Sequence, residues 1–146
     1  MNFRYTLHRL SLLEQWRYDP FRLLFFVAAL LIFSAIILWV LPLFSHGNTQ
    51  AGFIGLTCGL AINLWLTCIA RLHLPRAAQA AVVVALLESY NYRKSSQGYY
   101  DLQVARYKKF KSQRIYLERQ EEILIVTGPY NMLKKIIKKM DNHAHG

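Results

Sequence analysis

The residues best suited to chemistry in this chain are cations interleaved with aromatic rings. Arg106, Lys108, Lys109, Lys111 and Arg114 surround Tyr107 and Phe110, and Arg93, Lys94, Tyr99 and Tyr100 come just before them. Cations at this density hold phosphates, and aromatic faces stack on bases. The same composition holds a domain against anionic lipid headgroups, at about 1 kcal/mol per cation near the surface. A nucleic acid, a nucleotide messenger, membrane lipid and an acidic protein partner all fit these residue types, and so does a simply solvated face. A second set, Lys134, Lys135, Lys138 and Lys139, falls opposite Met132, Leu133, Ile136, Ile137 and Met140. That spacing predicts an amphipathic helix over 130–140, with its cations available to a membrane surface.

Covalent and metal chemistry find little footing. There is no phosphate-binding Gly-Lys loop, no Gly-rich dinucleotide turn, no Cys-x-x-Cys pair and no His-Glu-x-x-His helix. His143 and His145 lie in the tail, without supporting ligands. Glu118, Glu121 and Glu122 fall at an expected hairpin tip, and Asp101 is a lone carboxylate among tyrosines. The residues therefore describe a non-enzymatic chain with no cofactor and no metal site.

The element that must position these cations is a pair of apolar helices. The formal net charge is +10, yet residues 23–70 contain no Asp, Glu, Lys or Arg. A bilayer core takes roughly 20 apolar residues per helix. Residues 23–44 (LLFFVAALLIFSAIILWVLPLF) and 51–70 (AGFIGLTCGLAINLWLTCIA) each meet that length, joined by the polar SHGNTQ. A chain of this size cannot cover two helices that are apolar all round. The stretch also starts too late and runs too long for a cleaved leader. Arg4, Arg9, Arg17 and Arg22 precede the pair, Arg71 and Arg76 follow it, and the loop carries no fixed charge. The positive-inside rule then puts both termini in the cytoplasm and the loop outside. Trp16, Tyr18 and Trp39 suit interfacial or near-interfacial anchors, and Trp65 falls deep for that role. Cys58 and Cys68 both fall in the second span, about 15 Å apart along it, too far to bridge.

The two spans differ in character. The first is Leu, Ile, Phe and Val, interrupted by Ser34 and Pro42. The second carries Gly52, Gly55, Gly59, Asn63 and Thr67 along one face. Gly55 and Gly59 form a small-x-x-x-small pair that lets backbones approach closely, and an amide in hydrocarbon needs a partner. That face either packs the second span on the first or assembles copies of the chain, with Asn63 and Thr67 bonded in rings or lining a narrow pore. No charge lies within the spans, which argues against a proton relay.

The flanks complete the layout. Phe3, Leu7, Leu10, Leu13 and Trp16 recur at steps of three and four, predicting a short amphipathic helix on the membrane surface or against the domain. Asp19 and Pro20 predict the cap and first turn of the first span. After Pro75, residues 77–88 read as a helix too short to span and 90–98 as a turn-rich break. Residues 114–119 and 122–127 read as a hairpin turning at Gln120-Glu121, which Gly128-Pro129 closes. The expected architecture is a membrane α-helical hairpin of two transmembrane helices followed by a small cytoplasmic α+β domain. Its divisions are an amphipathic N-terminal segment (1–20), the hairpin (21–74) and the basic domain (75–146); from residue 71 to the end 14 Lys or Arg stand against 6 Asp or Glu.

This layout resembles the small two-span effectors attached to bacterial anti-phage systems, such as those of retrons, CBASS and type III CRISPR. The resemblance rests on the basic N-terminal segment, the uncharged hairpin and the basic domain at 76–140. It implies a homo-oligomer or defence complex in which the Gly55/Gly59/Asn63 face assembles the spans. Arg106, Lys108, Lys109, Lys111 and Arg114 would then hold a nucleic acid or nucleotide messenger. The chain also resembles two-span accessory subunits of polysaccharide synthases, like that of poly-N-acetylglucosamine synthesis, which implies docking of the same face on a larger membrane enzyme. A lipid-bound scaffold that recruits a soluble partner is the third reading.

Overall fold

The computed structural model of the chain describes residues 5–44, 46, 48–75, 79–105 and 110–144. Two of its helices, α2 (Pro20–Phe44) and α3 (Thr49–Leu66), are long and apolar enough to cross a membrane. Asp19 caps α2 by accepting from the Arg22 N–H, with Pro20 at the first position, as the sequence predicts. Toward the loop, α2 widens over Ile36–Val40, where the Leu41 N–H reaches back to Ile36 O. Pro42 explains the widening: it has no N–H to give, and its ring needs room beside the carbonyl four residues earlier. The Asn48 side chain caps α3 by accepting from Gln50 N and Ala51 N. Between the helices, Gly52 meets Ile37, its nearest side-chain atom 3.5 Å from where a Cβ would stand.

The second helix stops four residues short of the expected end at Ala70. Thr67 caps it, and Ile69–Leu74 forms strand β2. Ala70, Leu72 and Leu74 turn inward and are buried, whereas Arg71 and His73 turn to the other face. This two-residue alternation belongs to a strand. Cys68 therefore lies outside the span, buried, while Cys58 remains on α3. A second departure is at the N-terminus. The expected surface helix is confined to α1 (Leu12–Tyr18), and Thr6–Arg9 is strand β1. Strand pairing decides the outcome: β1 lies antiparallel to β2 with Leu7 opposite Leu72 and Arg9 opposite Ala70. Ser11 and Glu14 then start α1 as a reciprocal capping box.

The sheet order is β1-β2-β6-β5, all antiparallel, with β5 (Tyr116–Gln120) and β6 (Ile123–Pro129). The β5–β6 turn falls at Glu121-Glu122, one residue later than expected, with Glu121 at φ 51°. Gly128 and Pro129 do not leave the hairpin as a turn. They continue β6 opposite Ala70 and Ile69. Glycine is required at 128 because a Cβ there would sit 2.8 Å from Ile115 Cγ1. Helix α4 (Ala80–Ser89) and helix α5 (Tyr130–Ala144) bury Val83, Leu87, Leu133 and Ile136 with Leu72 and Val126 of the sheet. A small ribbon of β3 (Tyr92–Lys94) and β4 (Tyr100–Leu102) occupies the expected turn-rich break and joins the core through Tyr100 and Ile115.

The coarse expectation holds: two long apolar helices and a small α+β unit with an antiparallel sheet. The unit is not simply appended, however. Its sheet contains one strand from before the hairpin and one from directly after it.

Candidate functional site at the hairpin base

Three ties fix the hairpin to the sheet domain. The first is the β1–β2 ladder, extended by Leu10 N–H donating to Ile69 O at 3.0 Å. The second is Asp19, 3 % exposed, which uses one carboxylate oxygen on Arg22 N and the other on Ser112 N at 2.9 Å. The third is Arg22 itself. It is 5 % exposed, and its Nη2 donates to Thr67 Oγ1 at 2.6 Å and to Leu64 O at 3.4 Å. The Thr67 hydroxyl in turn donates to Asn63 O at 2.7 Å. A buried cation is tolerated only when its protons are taken, and here the frayed end of α3 supplies the acceptors.

These groups edge a cavity of about 320 Å³ between hairpin and domain. Arg22, Asn63, Thr67, Gln113 and Asn131 supply polar atoms, while Phe25, Phe26 and Phe110 supply apolar wall. Phe110 packs on Phe25 of α2 with ring centroids 5.9 Å apart. Tyr92, at the inner end, is buried, which pushes its phenol up to about 12. The arrangement suits a small anionic or amide-bearing group with one apolar side.

The expected face of the second span divides. Gly52 points at α2, and Gly55 and Gly59 have nothing within 4 Å of a Cβ position. Asn63 and Thr67 belong to the base of the hairpin, Thr67 as the cap engaged by Arg22.

The basic cluster divides as well. Arg106, Lys108 and Lys109 lie outside the described residues. Lys111 is exposed in a single 3₁₀ turn that Phe110 and Ser112 pin against the start of α2. Arg114 lies on the Tyr99 ring at 4.4 Å, in a row of rings that continues through Tyr116 to Tyr18. Arg93 and Lys94 are exposed on β3, and Lys94 sits with Arg119 and Leu117, away from the hairpin.

Lys134, Lys135, Lys138 and Lys139 are exposed on the outer face of α5. That helix starts at the hairpin base, where Tyr130 N–H donates to Cys68 O, and ends where Tyr5 Oη donates to Asp141 beside the far end of β1. At 1.5 Å per residue, Lys134 stands about 6 Å and Lys139 about 13 Å from its start.

Sequence reasoning placed Arg9 and Arg22 only as flanking charges and did not single out Gln15. Arg9 in fact lies between the Trp65 and Tyr130 rings, 4.0 Å and 3.8 Å from their centroids. The one available signal was Trp65, whose position near the end of the apolar run suits an anchor. Among the described residues, no group of three or more His, Cys, Asp or Glu could hold a metal ion.

No protein-family model matches the chain, and no curated protein or solved structure matches it significantly.

Proposed function

We propose that this protein is a non-enzymatic effector of the bacterial inner membrane. Its two-span hairpins associate to perturb or permeabilise the bilayer, and the basic cytoplasmic domain controls them by binding an anionic partner. The observation that carries this reading is the mechanical continuity at the hairpin base. The Asp19 and Arg22 contacts and the β1–β2 ladder join both spans to one sheet. A partner that shifts the domain therefore shifts both helices together. The same pairing favours both termini on one side, because β1 and β2 can meet only if the hairpin returns to where it started.

Lys111 lies beside the first turn of α2, and Lys134 and Lys135 lie near the start of α5, whose Tyr130 N–H donates to Cys68 O at the hairpin base. These cations serve a lipid surface. Arg93, Lys94 and Arg119, exposed elsewhere on the domain, are the cations among the described residues that we assign to a nucleic acid or messenger. The test is induction in cells, alone and with neighbouring gene products, while membrane potential is followed. Depolarisation that Gly55→Leu/Gly59→Leu abolishes is the expected result; no depolarisation under any condition removes the proposal.

The uncovered Gly55 and Gly59 favour one further reading, an accessory subunit that docks this face on a larger membrane enzyme. Purification in mild detergent then recovers a stoichiometric larger partner. Recovery as a homo-oligomer alone counts against it.

A further inference from the structure

Where α1 crosses α3, a cavity of about 440 Å³ is lined by Arg9, Gln15, Ala61, Leu64, Trp65 and Cys68 with their neighbours. Gln15 is 5 % exposed. Its amide N–H donates to Leu10 O at 2.9 Å, but its Oε1 has no hydrogen-bond partner among the described residues. Arg9 leaves its buried Nε–H unpartnered as well. An orphan acceptor and an orphan donor, the latter on a permanent cation, complement an anion that also carries an O–H or N–H. The space far exceeds the roughly 30 Å³ share of one liquid water.

A second cavity, of about 530 Å³, adjoins the first and shares Leu12, Ala61 and Leu64 with it as lining. That groove follows the spans past Phe26 to Leu30 and Thr57, and its walls are almost wholly apolar. Leu30 lies about 15 Å along α2 from Pro20, which is half of a hydrocarbon core roughly 30 Å thick. One end is thus cationic with a spare acceptor, and the rest is greasy and one leaflet deep.

We propose that these two adjoining cavities act as one groove that seats one glycerophospholipid, with its phosphate on Arg9, a headgroup O–H or N–H on Gln15 Oε1, and one acyl chain between α1, α2 and α3. The assignment rests on the hairpin lying in lipid. It explains why Leu12, Leu13 and Trp16 of α1 face outward beside the spans: they flank the acyl chain.

The experiment is native mass spectrometry of the full chain, extracted in mild detergent from nanodiscs holding equal ethanolamine, glycerol and choline phospholipids. One retained lipid per chain is expected, with the choline lipid disfavoured because its headgroup has no donor. Gln15→Leu lowers retention about tenfold, the worth of one hydrogen bond. Ala61→Phe, at an exposed position, fills the groove and abolishes retention while leaving Arg9 and Gln15 in place. Absence of a retained lipid, indifference to headgroup, or parental retention by either variant overturns the assignment. A chain that needs no detergent at all overturns the hairpin reading with it, whereas a detergent-requiring chain without lipid overturns the assignment alone.

Discussion

Asp19→Ala is the sharpest test of the hairpin base, because one buried carboxylate closes two different gaps there. Its first oxygen caps α2 at Arg22 N, 3.2 Å away, and its second accepts from Ser112 N at 2.9 Å. Loss of a side-chain cap costs about 1 kcal/mol. Leaving the Ser112 N–H buried without an acceptor costs about 1–3 kcal/mol more, so the variant loses about 2–4 kcal/mol in all. For a chain near this size, each kcal/mol moves the melting temperature by about 2–4 °C, which gives a fall of about 4–16 °C. Asp19→Asn separates the two contributions. Its amide oxygen still caps the helix, but its NH2 group faces another donor at Ser112, so it falls between parent and alanine. The assay is thermal unfolding in nanodiscs of fixed composition, followed by near-ultraviolet circular dichroism. Melting of Asp19→Ala indistinguishable from the parent would refute the claim that this carboxylate joins span and domain.

Three other outcomes follow from the geometry. Gly128→Ala forces a methyl against Ile115, at 2.8 Å, and destabilises by about 1–3 kcal/mol; Ile115→Ala costs about 2–5 kcal/mol of its own because Ile115 is fully buried, so the relief shows as a double variant that loses less than the sum of the two single losses. At Gly55 and Gly59 an added Cβ has open space within 4 Å among the described residues, so Gly55→Leu and Gly59→Leu each leave the melting temperature level or raised through helix propensity worth about 1 kcal/mol, even where they abolish association. Tyr92 is held neutral by burial, with its phenol raised from the ordinary 10 to about 12. Its contribution is full below pH 10 and is lost as pH rises from 10 to about 12, so Tyr92→Phe flattens alkaline unfolding in that window, read by circular dichroism.

The two long apolar helices, the β5–β6 hairpin and α5 were legible because each signal is local: an uncharged run of bilayer length, alternation about a turn, and a two-faced helix. The cap at Asp19-Pro20 was legible for the same reason. The sheet's other half was not. Cys68-Ile69-Ala70 extends the apolar run without a break, so β2 hides inside what reads as a span. The partner that makes it a strand, Thr6–Arg9, lies on the far side of the hairpin. Helical spacing at Leu7, Leu10 and Leu13 was real, but the ladder to β2 outweighed it. Gly128-Pro129 carries a turn signature, yet the close approach of Ile115 and pairing with β2 use both residues in a strand. In the site, residue types announced the cations but not their separation, since Lys94 and Lys111 reach opposite sides of the domain. Arg22 was indistinguishable from an ordinary flanking charge because its acceptor, Thr67, comes from the other end of the loop-out.

The interrupted sheet also imposes an order on biogenesis. β1 leaves the ribosome first and has no mate until α2 and α3 have both been laid down and β2 follows. Until β1 returns to it, β2, which ends as an interior strand between β1 and β6, has a bare edge that invites foreign strands. A chain whose two helices do not fold back on each other never brings β1 to β2, and that edge stays bare. Pairing of the outermost strand thus closes the sheet only over a helical pair that has returned to its starting end.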